Sequence, residues 1–134
     1  MSKLFDLEIM TPERPFYYGK AEAVTVQASD GRLTVLADHS PLISAIVSGE
    51  LDIKTDGEWK RAFHSEGFME VGRNEVKIFA QACEWPDEID AGRAEEAAER
   101  AKALKDAKKS DYRVKFYNSS YDRAVARLKI KEKQ

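Results

Sequence analysis

Asp90, Arg93, Arg100, Arg123 and Arg127 have types and spacings suited to gripping an anionic ligand. Arg123 and Arg127 stand four apart, so on a helix both project from one face. Arg93 and Arg100 stand two turns apart on an earlier helical stretch. A guanidinium holds phosphate oxygens bidentately, and a carboxylate accepts from ribose hydroxyls or an amino group. One acid at a helix start, with several forks able to converge on it, is the make-up of a nucleotide site. Taken singly, the same arginines fit a solvated face with intrahelical pairs such as Glu96–Arg100, which contribute little. Asp90 alone fits a first-turn partner of the helix dipole.

Catalytic constellations are not legible. Gly19-Lys20-Ala21 lacks both the upstream glycine and the Ser/Thr of a phosphate-binding P-loop. His39 and His64 are not spaced as metal ligands, and Asp38-His39 has no serine nucleophile motif beside it. His39 reads as a surface loop residue and His64 as a strand residue. The expectation is a chain with no catalytic residue and no metal site. The single Cys83 excludes an internal disulfide and fits a reducing compartment. The N-terminus shows no signal-peptide pattern, and no apolar run is long enough to span a bilayer.

The elements that must position these groups change character at Glu84-Trp85-Pro86-Asp87-Glu88-Ile89-Asp90. Upstream, short alternating runs predict strands over 5–9, 24–28, 33–36, 51–55, 59–63, 68–71 and 76–80. Asp56-Gly57 between two such runs is a strong hairpin signal. Many short strands with frequent turns predict an all-β sandwich over 1–86. Pro86 closes that part, and Asp87 is placed to cap a helix. Downstream, Ala94, Ala97, Ala98, Ala101, Leu104 and Ala107 recur at helical spacing, then Lys108-Lys109-Ser110-Asp111 reads as a turn. A second stripe follows at Val114, Tyr117, Tyr121, Ala124, Val125 and Leu128. Residues 87–134 therefore predict an antiparallel α-helical hairpin with a thin alanine seam, able to detach and re-dock. Its second helix should fray near Phe116–Ser120.

Charge is unevenly divided. Residues 1–86 carry 9 Lys/Arg against 14 Asp/Glu, and residues 87–134 carry 13 against 10. From Arg113 onward, seven bases face only Asp122 and Glu132. Such a tail suits an acidic partner.

Three segments carry a family resemblance. Gly31-Arg32-Leu33-Thr34-Val35-Leu36-Ala37-Asp38-His39-Ser40-Pro41-Leu42 resembles a G-x-L-x-V-L-x-x-H-x-P-L loop. Ile89-Asp90-Ala91-Gly92-Arg93-Ala94 fits the pattern Ile/Leu-Asp-x-x-Arg-Ala. Arg123-Ala124-Val125-Ala126-Arg127-Leu128 resembles R-A-x-x-R-L. In this order, in a chain of this length, they resemble the epsilon subunit of bacterial F-type ATP synthases over nearly the whole sequence. The resemblance implies a non-catalytic central-stalk subunit, peripheral at the cytoplasmic face of the bacterial membrane. Its sandwich would bind the gamma subunit and the c-ring, with Arg32, His39, Pro41 and Leu42 in the ring-contact loops. Its hairpin, extended, would meet an acidic segment of a beta subunit and block ATP hydrolysis. ATP would bind the folded hairpin as an unhydrolysed regulatory ligand. Glu84, Ile89, Asp90 and Ala94 would then hold the base and ribose, and Arg93, Arg100, Arg123 and Arg127 would face the phosphates.

Two other readings stand beside this one. A free-standing ATP-binding sensor would use the same hairpin site. A basic-tailed RNA-binding β-domain is weaker, because the strand-rich part is acidic and lacks the aromatic–basic pattern of RNA readers.

Overall fold

The computed structural model describes the backbone of residues 3–107 and 111–133, and the side chains of 3–103 and 120–133. The strands are β1 (Phe5–Met10), β2 (Pro15–Ala21), β3 (Ala23–Ala28), β4 (Gly31–Leu36) and β5 (Leu42–Ile46), then β6 (Gly49–Thr55), β7 (Glu58–His64), β8 (Gly67–Gly72), β9 (Glu75–Ala80) and β10 (Cys83–Glu84). A single 3-10 turn at Pro86–Glu88 leads into α1 (Ala91–Ala107) and α2 (Asp111–Glu132). The fold is a β-sandwich followed by a helical hairpin, as the sequence predicts.

One layer runs β4-β3-β6-β7-β10, with every pair antiparallel. The other runs β5-β8-β9-β1-β2, in which only β1 and β9 are parallel. A single pairing, Ala28 with Ile46, links the layers through β3 and β5. Alternation turns one face of each strand inward. Phe5, Leu7 and Ile9 of β1 meet Leu51 and Ile53 of β6, Met69 of β8 and Ile78 of β9 in one buried cluster. Asp56 and Gly57 join β6 to β7 with φ of 54° and 77°, both in the left-handed region that a tight hairpin demands.

Three strands escape the sequence reading: β2, β5 and the two-residue β10, which is too short to show a period. β2 opens on Pro15, which lacks a ladder donor and is tolerated because β2 lies at a sheet edge. β5 presents apolar residues on both faces, Ile46 inward and Ile43 outward at 75% exposure, so its alternation is hidden.

The helix start is also corrected. Asp87 caps nothing, since Pro86–Glu88 forms a 3-10 turn and α1 begins at Ala91. Ile89 stays extended (φ −82°, ψ 124°), which lets its side chain bury against Phe63 of β7 and Ile130 of α2. Asp90 is the cap: its Oδ1 accepts from the Arg93 N–H at 3.0 Å.

In α1, Ala94 and Ala101 are buried and Ala97 and Ala98 half-buried, as their spacing predicts. In α2, Ala124 is buried but Tyr121 is exposed, so Tyr121 does not belong to the seam. A second apolar pair, Ala126 and Ile130, faces the sandwich instead. The α2 backbone is helical through Phe116–Tyr121. The expected turn at 108–110 and the side chains of Leu104, Ala107, Val114 and Tyr117 lie outside the described residues.

Candidate functional site

The hairpin rests on the outer face of β6 and β7. Its apolar contact is small: Phe63, Ile89 and Ile130 are buried together, with Ala82 and Ala126 at the margin. Charge does the rest. Arg123 Nη1 donates to Glu66 Oε1 at 2.6 Å, and Arg127 Nε donates to Glu84 Oε1 at 2.6 Å. The Arg127 guanidinium also lies 4.5 Å over the Phe63 ring. Lys131 Nζ donates to the Pro86 carbonyl at 2.9 Å, and Lys133 Nζ to Glu50 Oε1 at 3.0 Å. Four of the late basic residues, Arg123, Arg127, Lys131 and Lys133, are thus held by acceptors of the sandwich and of the hinge, residues 84–90 between sandwich and α1.

Between α1, α2 and the hinge lies a cavity of about 340 Å³, lined by Glu84, Glu88, Asp90, Arg93, Ala94, Ala97, Arg100 and Arg127. Six of the eight residues expected to hold ATP meet there: Glu84, Asp90, Arg93, Ala94, Arg100 and Arg127. Ile89 does not line it, because its side chain is packed under the hairpin. Arg123 does not line it either, because Glu66 and the Ser120 hydroxyl hold its guanidinium. Glu88 lines the wall and was missed by sequence reasoning. It lies one residue outside the Ile-Asp-x-x-Arg-Ala pattern, and only the 3-10 turn brings it round. A larger hollow, about 470 Å³, lies under α2 beside Gln27, Arg32, Glu50 and Lys129; none of the expected nucleotide residues lines it.

Beneath the end of α2, two carboxylates crowd three cations. Asp52 pairs with Arg32 at 2.7 Å, and Glu50 with Arg61 Nε at 3.2 Å and with Lys133. Arg61 Nε is buried and lacks the alignment of a hydrogen bond. Burial and the neighbouring Glu50 push the Asp52 carboxyl up to about 6, while Glu50, hydrogen-bonded to Asp52 and Lys133 despite its own burial, is held below the usual carboxylate range. The two share a site in which both cannot ionise freely.

The remaining candidates are structural. His64 is fully buried; its Nε2 accepts from the Gln27 N–H at 3.0 Å, so its Nδ1–H donates to the Ser65 carbonyl at 3.0 Å. Burial lowers its pKa to about 4, with the Arg32 charge adding to the shift, so the ring is neutral. Burial pushes the Cys83 thiol up to about 12, which leaves it unreactive. Among the described residues no group of three or more His, Cys, Asp or Glu is arranged to hold a metal ion.

The four residues expected at the rotor ring do not all meet. His39 and Pro41 lie on the loop between β4 and β5, where Asp38 takes a positive φ of 65°, and Leu42 opens β5. Arg32 is no loop residue. It sits near the start of β4, at the far end of that strand from His39, with its guanidinium on Asp52 and the Glu50 carbonyl. Among the described residues no helix is long and apolar enough to cross a membrane.

Comparison with known proteins agrees with this architecture. The family model described as "ATP synthase, Delta/Epsilon chain, beta-sandwich domain" matches residues 4–86. The ATP synthase epsilon chain of Caldanaerobacter subterraneus subsp. tengcongensis is 46% identical over 134 residues, covering 99% of this chain and 97% of that one. That of Caldicellulosiruptor saccharolyticus is 38% identical over 130 residues, covering 97% and 95%. In fold, the chain is similar to one in the Euglena gracilis mitochondrial ATP synthase (TM-score 0.73, 21% identity, 96% of this chain and 78% of that one). With the sandwich matched by the family model and full-length relatives well above the identity at which family is shared, the chain belongs to the epsilon chain family of bacterial F-type ATP synthases.

Proposed function

We propose that this chain is a non-catalytic rotor subunit of the central stalk, coupling the catalytic head to the c-ring and restraining ATP hydrolysis through its C-terminal helices. The sandwich is the anchor. It binds the gamma subunit and, through His39, Pro41 and Leu42, the ring, which makes the chain peripheral at the cytoplasmic face of the membrane. The hairpin is the brake.

The observation that carries this reading is the contrast between core and latch. Among the described residues, the sandwich core holds eighteen buried residues in one cluster, whereas three buried residues form the cluster that joins the hairpin to it. The other described contacts of the latch are made by charged side chains at partly exposed sites, and its ion pairs are each worth about 1 kcal/mol or less and weakened by salt. Arg123, Arg127 and Lys133, now on Glu66, Glu84 and Glu50, would find equivalent acceptors on an acidic segment of a beta subunit once extended. Folded and extended forms then exchange like for like.

ATP is the ligand proposed to bias that exchange, bound without hydrolysis in the cavity of Glu84, Asp90, Arg93, Ala94, Arg100 and Arg127. A volume of about 340 Å³ falls at the small end of ligand pockets. A ligand that binds only the folded form favours it by about 2.7 kcal/mol at a hundredfold excess over its dissociation constant. That is comparable to a few exposed ion pairs, so ATP could decide the balance.

Truncation after Trp85 tests the brake. Enzyme rebuilt with the truncated chain should assemble and hydrolyse ATP faster than enzyme with the full chain. Equal rates would remove the regulatory role. Arg93→Ala tests the ligand: it should weaken ATP in a calorimetric titration, and unchanged heats would move the site elsewhere.

A further inference from the structure

The cavity described above carries a charge problem of its own. Its wall presents three carboxylates, Glu84, Glu88 and Asp90, and three guanidinium groups, Arg93, Arg100 and Arg127. A nucleoside triphosphate entering it meets as many negative charges as positive ones. Two of the acids are answered from within the wall: Arg127 holds Glu84 at 2.6 Å, and the start of α1 holds Asp90 through the Arg93 N–H. Glu88 is answered from outside. Arg14, on the turn between β1 and β2 and 74 residues away in sequence, donates from Nη2 to Glu88 Oε1 at 2.7 Å.

That arginine is well seated. Its Nη2 also lies 3.3 Å from the Cys83 carbonyl, and its guanidinium lies 5.3 Å over Phe16. Phe16 in turn stacks on Trp85 at 4.5 Å. The turn that carries it is closed by Thr11, whose hydroxyl donates to the Arg14 carbonyl while accepting from the Arg14 N–H. Glu88 Oε1 takes a second bond from the Trp85 N–H at 2.9 Å. The Glu88 carboxylate is therefore held by donors, from Arg14 and Trp85, that do not themselves line the cavity.

We infer that Arg14 is a positioning residue of the nucleotide cavity, pairing with Glu88 so that the wall does not repel a polyphosphate. The inference rests on the nucleotide reading of that cavity. It makes the sandwich part of the site. A turn between two strands, touching no ligand, sets how much negative charge the hinge shows to the phosphates.

The test is a set of calorimetric titrations of the full chain with ATP and with adenosine, on four proteins: the wild type, Arg14→Ala, Glu88→Gln and the double variant. Arg14→Ala should weaken ATP about tenfold, the factor that corresponds to about 1.4 kcal/mol. Adenosine, which carries no phosphate, should lose less than about threefold on the same scale. The double variant should recover ATP affinity, because Gln at position 88 removes the unpaired charge yet can still accept from the Trp85 N–H. A merely structural loss of the Arg14 clamp would weaken both ligands alike and would not be rescued, and that result overturns the inference. Unchanged ATP affinity in Arg14→Ala also overturns it. Wild-type chain that takes up no ATP refutes the nucleotide reading itself, and the inference falls with it.

Discussion

Arg127→Ala should loosen the hairpin while sparing the sandwich. Two interactions go with the side chain: the 2.6 Å pair with Glu84, whose side chains are 26% and 29% exposed, and the stacking 4.5 Å over Phe63. A pair at that exposure contributes about 1 kcal/mol at most, after screening. A guanidinium over a buried ring adds about 1 kcal/mol. Together they make about 2 kcal/mol of docking free energy, or roughly a thirtyfold shift toward the released hairpin. Native-state hydrogen exchange reads this directly. Amides of residues 124–130 should lose protection by roughly that factor, while amides of β1 and β6 keep theirs. An equal loss in the strands would mean that hairpin and sandwich unfold as one unit. No loss in α2 would mean that the ion pairs do not hold it. Either result refutes the picture of a weak, ionic latch.

Other outcomes follow from the same contacts. Ile130→Ala empties the centre of the only apolar cluster described between hairpin and sandwich, and should cost docking about 2–4 kcal/mol, seen again as exchange confined to the helices. Gly67→Ala would place a Cβ 1.8 Å from the Phe79 carbonyl oxygen, so β8 must leave β9; the expected result is loss of the thermal transition rather than a small shift in its midpoint. For pH, the sign is set by His64, whose folded pKa of about 4 lies below its ordinary 6.5. Between those values the unfolded chain binds the extra proton, so acid destabilises the fold, by about 3 kcal/mol once the pH is below 4. Asp52, raised in the folded chain, works in the opposite direction over an overlapping window. Asp52→Asn should therefore steepen the fall of the melting temperature between pH 6.5 and 4, and an unaltered slope would contradict the assignment.

Most of the sandwich was legible because its signals are local. Asp56-Gly57 announces the β6–β7 hairpin, and Leu51, Ile53 and Ala62 alternate with charged neighbours. β2 and β5 were not legible, since an edge proline and an outward Ile43 obscure the period that pattern reading depends on, and β10, at two residues, has no period to read. The hinge failed for a different reason. Asp87 has the chemistry of a cap, but burying Ile89 against Phe63 and Ile130 requires an extended residue there, and those partners lie far away in sequence. The same distance explains Arg123. Its spacing from Arg127 predicts a shared face, but nothing local reveals that Glu66, 57 residues earlier, takes its guanidinium first. Glu88 and Arg14 were likewise invisible, because only the folded turn brings them together.

In the proposed function, a firm sandwich bears a hairpin that moves and that ATP draws back. The most direct measurement places one fluorophore on the sandwich at Tyr18 and another on the second helix at Lys129, in the assembled enzyme, and follows energy transfer in single molecules. Two distances should appear, with ATP enriching the shorter one. A single distance, unmoved by ATP, would contradict the account.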